Sequence, residues 1–212
     1  MNNHPYAKII WDKLCAVIGN EKGVAGLMGN LRAESGLYPD RVQGDIPYSS
    51  FSQEYTAKVD NGTISEYDFV HNGPNGGGYG LAQWTYYTRK QNLYNRYKNG
   101  GYSSIGSIDL ACDFLLWELQ SSFPEVLSTL KGCSSIRVAS DKVLHDFENP
   151  RVQDEAVENL REQLSTEVYN AFSGSEPVDP TPPTPDEPEN PDTPITIRRL
   201  SKLLLFATAI DD

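Results

Sequence analysis

Eight of the fourteen prolines in this 212-residue chain fall between Ser173 and Pro194, and that stretch decides where folding can occur. Proline lacks a backbone N–H and fixes φ, so repeated prolines exclude both helix and central strand. The same stretch carries six acids and no base. Residues 173–194 therefore read as an extended, semi-rigid linker. A folded domain must lie within residues 1–172, which is ample for one core. Residues 195–212 form a short tail with Arg198, Arg199 and Lys202 ahead of Leu203-Leu204-Leu205-Phe206-Ala207. That apolar run is far below the roughly 20 residues that cross a bilayer. It suits a docking or membrane-surface helix equally with the start of a further module.

Charge narrows the partners. The linker holds −6 and the tail +1 of the net −11, leaving −6 on residues 1–172. A domain with this acidic balance is a poor candidate for nucleic acid, whose binding rests on phosphate neutralisation by Lys and Arg. Cys15, Cys112 and Cys133 are odd in number and widely spaced, so neither a zinc pattern nor a disulfide framework is expected. Reduced thiols suit a protein made in a cytosol. Met1-Asn2-Asn3-His4-Pro5 shows no basic region followed by an apolar one, so a signal peptide is not expected.

Within 1–172 the apolar spacing is mostly helical. Ala7, Ile10, Trp11, Leu14, Val17 and Ile18 share one helix face. Asn20 suits the N-cap of a second helix to about Glu34, ended by Ser35-Gly36 and Pro39. Residues 40–82, rich in Gly, Ser, Asn and Asp, read as loops and a small hairpin closed by Gly76-Gly77-Gly78-Tyr79-Gly80. Further helices are expected over Thr85–Asn99, from a Ser107 cap to Leu119, after Pro124 to Gly132, and over 135–148 and 151–172. The expected class is α+β, mostly α, with a small β-hairpin or loop insertion after the second helix.

Glu34 is the leading chemical candidate. A glycosidase needs one carboxylic acid that keeps its proton near neutral pH. The C-terminal end of a helix presents partial negative charge and disfavours an anion there. A glutamate in the last turn is also a common surface residue, and position alone does not separate the two.

The segment Gly26-Leu27-Met28-Gly29-Asn30-Leu31-Arg32-Ala33-Glu34-Ser35-Gly36-Leu37-Tyr38-Pro39 resembles the catalytic helix of phage tail lysozymes. These belong to the lysozyme-like superfamily, near goose-type lysozymes and soluble lytic transglycosylases. Gly78-Tyr79-Gly80-Leu81-Ala82-Gln83-Trp84-Thr85 is similar to its Gly-Leu-x-Gln segment, and Phe147-Glu148-Asn149-Pro150 to a Phe-Glu-x-Pro landmark. The resemblance spans about residues 7–172. It implies a lysozyme-like fold, Glu34 as catalytic acid, and Gly80 to Trp84 along the facing wall of a glycan cleft.

Under that resemblance Gln83 would hydrogen-bond a sugar, and Tyr79 and Trp84 would stack on one, with Trp84 alternatively a core residue closing the next helix. Ser35 would help hold the site or simply end the helix. For a second carboxylate the choice among Asp40, Asp45, Asp60, Glu66 and Asp68 falls on Asp45, beside Gly44 in an expected turn. The expected partner is bacterial peptidoglycan, cut at the β-1,4 bond between N-acetylmuramic acid and N-acetylglucosamine. A lytic transglycosylase giving 1,6-anhydro products, or a non-catalytic wall-binding or tail structural protein, remain alternatives. No cofactor or metal is expected. The proline-rich linker suits attachment to a phage tail or wall-binding module, and action at the wall as a virion component or at lysis.

Overall fold

The buried face of the first helix follows directly from its spacing. Ala7, Ile10, Trp11, Leu14 and Ile18 of α1 (Ala7–Ile18) are all buried in the computed structural model. That structure describes residues 1–73 and 77–175. The expected linker and tail, 173–194 and 195–212, lie outside the described residues from 176 onward.

The second helix, α2 (Glu21–Ser35), is the axis of the fold. Asn20 caps it through Oδ1, which accepts from Lys22 N at 3.2 Å, and Gly36 ends it in the left-handed conformation with φ 65°. Every residue from Gly23 to Leu31 is buried, so the helix has no solvent face over most of its length. Three glycines at three-residue spacing make this possible. A Cβ on Gly23 would lie 2.0 Å from Leu130 O, one on Gly26 2.4 Å from Ala139 Cβ, and one on Gly29 2.0 Å from Ser165 Oγ. Each interior glycine costs about 1 kcal/mol of helix propensity relative to Ala. Here that cost is offset by backbone-close packing of three later helices: α6 (Pro124–Gly132), α7 (Ile136–Val143) and α8 (Glu155–Phe172). Buried Asn30 ties α2 to α7, donating to Ser140 O at 3.1 Å and Gly26 O at 2.9 Å.

The insertion after α2 differs from expectation. In place of loops and a hairpin, residues 50–60 form a helix, α3 (Ser50–Asp60), and Asp68–Asn72 a single π turn. Among the described residues there is no strand; only isolated bridges join Val42 to Tyr79 and Tyr79 to Trp84. The hydrophobic pattern concealed α3 because its buried face is Ser52, Tyr55, Thr56 and Val59. Three of these four carry hydroxyls, and the two short ones are admitted to the interior by hydrogen bonds: Ser52 Oγ donates to Asp45 Oδ2 at 2.6 Å, and Thr56 Oγ1 pairs with Tyr79 OH at 2.7 Å.

The remaining helices follow the sequence signals. α4 is Tyr87–Asn99, and α5 is Ile108–Ser121, capped by Ser107. Pro124 opens α6 at its first turn. α7 runs into a second π turn, Leu144–Glu148, closed by Asn149 at φ 45°. Cys15, Cys112 and Cys133 are free thiols.

Candidate active site

A cleft of about 440 Å³ opens at the C-terminal end of α2. Glu34 reaches it from α2, Arg41 and Ile46 from the following loop, Gln83 and Tyr86 from the turn before α4, Arg89 from α4, and Glu148 from the second π turn. These residues are brought together from five separate segments.

Glu34 is held rather than free. Arg161 of α8 is buried and donates from Nη1 to Asn30 O at 2.8 Å and from Nη2 to Glu34 Oε1 at 2.5 Å. The close approach of α8 at Gly29 is what brings Arg161 within reach of the end of α2. The anion-disfavouring helix end expected from sequence is therefore opposed by a guanidinium that sequence spacing did not reveal.

A second carboxyl, Glu148, also lines the cleft. Although the residue as a whole is partly exposed, its Oε1 is sealed from solvent and has no hydrogen-bond partner among the described residues. Burial raises this carboxyl to about 8, and the neighbouring Glu34 and Glu118 push in the same direction against Arg89 and Arg161. π turns recur at functional sites, where they re-aim a single residue. Glu148 stands in the sequence landmark Phe147-Glu148-Asn149-Pro150, but sequence reasoning did not assign it a role.

The other expected site residues separate into those in the cleft and those beneath it. Gln83 lines the cleft, with φ 45°, and its Nε2 donates to Arg41 O at 3.0 Å and Gly80 O at 2.9 Å. Both amide hydrogens are thus engaged in shaping the turn. Ser35 is fully buried; its Oγ donates to Leu31 O and accepts from Leu37 N, knitting the helix end to the loop.

Tyr79 and Trp84 are core residues at 1% and 0% exposure, which places neither ring where a sugar could stack. Gly80 is likewise buried: a Cβ there would meet the Trp84 ring at 2.8 Å, so this glycine accommodates the indole, not a glycan. Trp84 reaches the cleft indirectly. Its Nε1 donates to buried Glu118 Oε2 at 2.6 Å, and Glu118 in turn grips Arg89 through Nε and Nη2 at 2.7 and 2.8 Å. The exposed ring at the cleft is Tyr86, two residues further on and 74% exposed.

Asp45 does not line the cleft. Its two oxygens accept four hydrogen bonds from the backbone N and Oγ of Ser49 and Ser52, anchoring the start of α3. Burial alone would raise the Asp45 carboxyl; the bonds from Ser49 and Ser52 outweigh it and hold it below the usual range. Asp40 is engaged with Tyr48 OH, Asp60 with Ser104 and Ile105, Glu66 with Gln91, and Asp68 with Ser65 and Asn72. None of them lines the cleft.

The sequence pattern of the phage tail lysozyme family matches residues 5–172, covering every described helix. The chain belongs to the phage tail lysozyme family. Membership in phage tail lysozymes implies lysozyme-like, peptidoglycan-degrading activity. The matched span ends with α8, which carries Arg161. No curated protein matches the chain. Among the described residues no helix is long and apolar enough to cross a membrane, and no cluster of His, Cys, Asp and Glu could hold a metal ion.

Proposed function

We propose that the chain is a muramidase that hydrolyses the β-1,4 bond between N-acetylmuramic acid and N-acetylglucosamine in peptidoglycan, with Glu34 as the general acid. The observation that carries this reading is Glu34 at the end of the buried helix α2, opening onto a cleft that also holds a second carboxyl and an exposed tyrosine.

Glu34 gives its proton to the leaving N-acetylglucosamine oxygen as the C1–O bond breaks and positive charge develops at the muramic acid C1. Water adds at that carbon and completes hydrolysis. Arg161 holds the Glu34 side chain at the cleft edge and takes up the negative charge left when the proton departs. Tyr86 and Ile46, exposed at the cleft, offer apolar surface to a sugar face. Asp45 serves as the anchor of α3 in this reading, not as a base.

The test is clearance of purified bacterial walls by wild type and by Glu34→Gln. Wild type should clear them and Glu34→Gln should lose at least a hundredfold, on the order of ~10²–10⁴ expected for a general acid. Equal clearance by both would remove Glu34 from the chemistry. Mass spectrometry of the digest should show reducing ends; 1,6-anhydro ends would make the enzyme a transglycosylase. On a virion, the linker between residues 173 and 194 would tether this domain to the tail.

A further inference from the structure

A general acid must be loaded with a proton, and Glu34 rests against a guanidinium, the partner of a carboxylate. The same cleft contains a carboxyl in the opposite circumstances. Glu148 Oε1 is sealed from solvent and lacks any donor among the described residues, a state that a neutral carboxylic acid tolerates far better than an anion. The charged groups acting on Glu148 are Glu34 of α2, Arg89 of α4, Glu118 of α5 and Arg161 of α8. Two of them are already committed, since Glu118 and Arg89 bind each other through two hydrogen bonds. Arg161 is the guanidinium that acts on both cleft carboxyls.

We propose that Glu148 is the second working carboxyl of the cleft and stores the proton that Glu34 delivers to the glycosidic oxygen. This deepens the reading of Glu34 as the acid and rests on it. In the resting enzyme Arg161 pairs with Glu34, and the proton sits on Glu148. When a glycan fills the cleft, the proton passes from Glu148 to Glu34 through one bridging water, and the Arg161 charge, which acts on both carboxyls, offsets the carboxylate left at Glu148. Glu34 passes the proton to the leaving oxygen as the C1–O bond breaks. The water that adds to C1 releases one proton, which reloads the pair, so each turnover consumes one water and leaves the enzyme unchanged. Two carboxyls held in different protonation states by their surroundings is a common division of labour in glycoside cleavage. Because Glu148 acts through Glu34, it is a positioning residue for the proton and not itself the donor.

The experiment compares pH profiles of kcat on soluble glycan fragments for wild type, Glu148→Gln and Glu34→Gln. Gln at 148 keeps the size of the neutral acid but cannot give up a proton. The wild-type alkaline limb should fall near 8, where burial places the Glu148 carboxyl. Glu148→Gln should lose about 10- to 100-fold at pH 7, with its alkaline limb moved down by more than one pH unit and KM little changed. Glu34→Gln should be inactive throughout. An unchanged limb and kcat in Glu148→Gln would overturn the proton store while leaving Glu34 as the acid. Activity in Glu34→Gln with none in Glu148→Gln would overturn both and make Glu148 the direct donor. If Glu148→Gln does not fold, carboxyl 13C shifts of glutamate-labelled wild type decide the point. A cleft glutamate titrating near 8 supports the store, and all glutamates titrating below 6 overturns it.

Discussion

Replacing Glu148 by Gln should make the protein relatively more stable as pH rises, a direction opposite to that of most buried-residue substitutions. The folded protein keeps the Glu148 carboxyl neutral to about 8, whereas in the unfolded chain it ionises at its ordinary 4.5. The folded state thus binds this proton more tightly. Its stabilising effect is complete below 4.5, declines as pH rises, and is lost once pH passes about 8. Each pH unit in that window costs wild type about 1.4 kcal/mol, so by pH 7 the decline reaches about 3 kcal/mol, an upper value because water entry would relieve part of it. Glu148→Gln does not titrate. It carries instead a constant penalty of about 1–3 kcal/mol for a buried amide without partners. Urea unfolding followed by tryptophan fluorescence at pH 4.5, 6, 7 and 8.5 separates the two contributions. The stability of the variant minus that of wild type should rise by about 3 kcal/mol between pH 4.5 and 7. Parallel curves over this range would show that Glu148 ionises normally and would refute the burial argument.

Gly26→Ala should destabilise by about 3 kcal/mol or more and reduce wall clearance, because its Cβ would lie 2.4 Å from Ala139 Cβ and 2.8 Å from Ser140 N, forcing α7 away from α2; thermal unfolding measures this. Asp45→Ala should lose about 2–4 kcal/mol at pH 7, leaving Ser49 and Ser52 donors unmet, with kcat of the folded fraction retained. Since the folded Asp45 carboxyl is held below the ordinary 3.8, its contribution is present above that value and disappears as pH falls through the folded one, so the two melting curves should converge in acid. Tyr86→Ala should raise KM for glycan fragments by about 3- to 10-fold with kcat little changed, the signature of uniform binding; an unchanged KM would show that the exposed ring does not meet the sugar.

Most helix ends were legible because their signals are local. Asn20, Ser107 and Pro124 mark starts, and Gly36 an end, through hydrogen bonding and backbone preference within a few residues. The core face of α1 and the place of Glu34 at the end of α2 were legible for the same reason. α3 was not, since Ser52 and Thr56 are buried only because Asp45, Val42 and Tyr79 supply their hydrogen bonds from elsewhere in the chain.

Nor could the motif Gly80-Leu81-Ala82-Gln83-Trp84 disclose which ring faces the cleft. The isolated bridge between Tyr79 and Trp84 turns both inward, and the exposed ring becomes Tyr86. The carboxyl chemistry lies furthest from the sequence. Proton affinity depends on local solvation and charge, and the groups around Glu148 lie at positions 34, 89, 118 and 161. A sequence can name a glutamate and place it on a helix, but only packing decides which glutamate loses its water and which acquires an arginine.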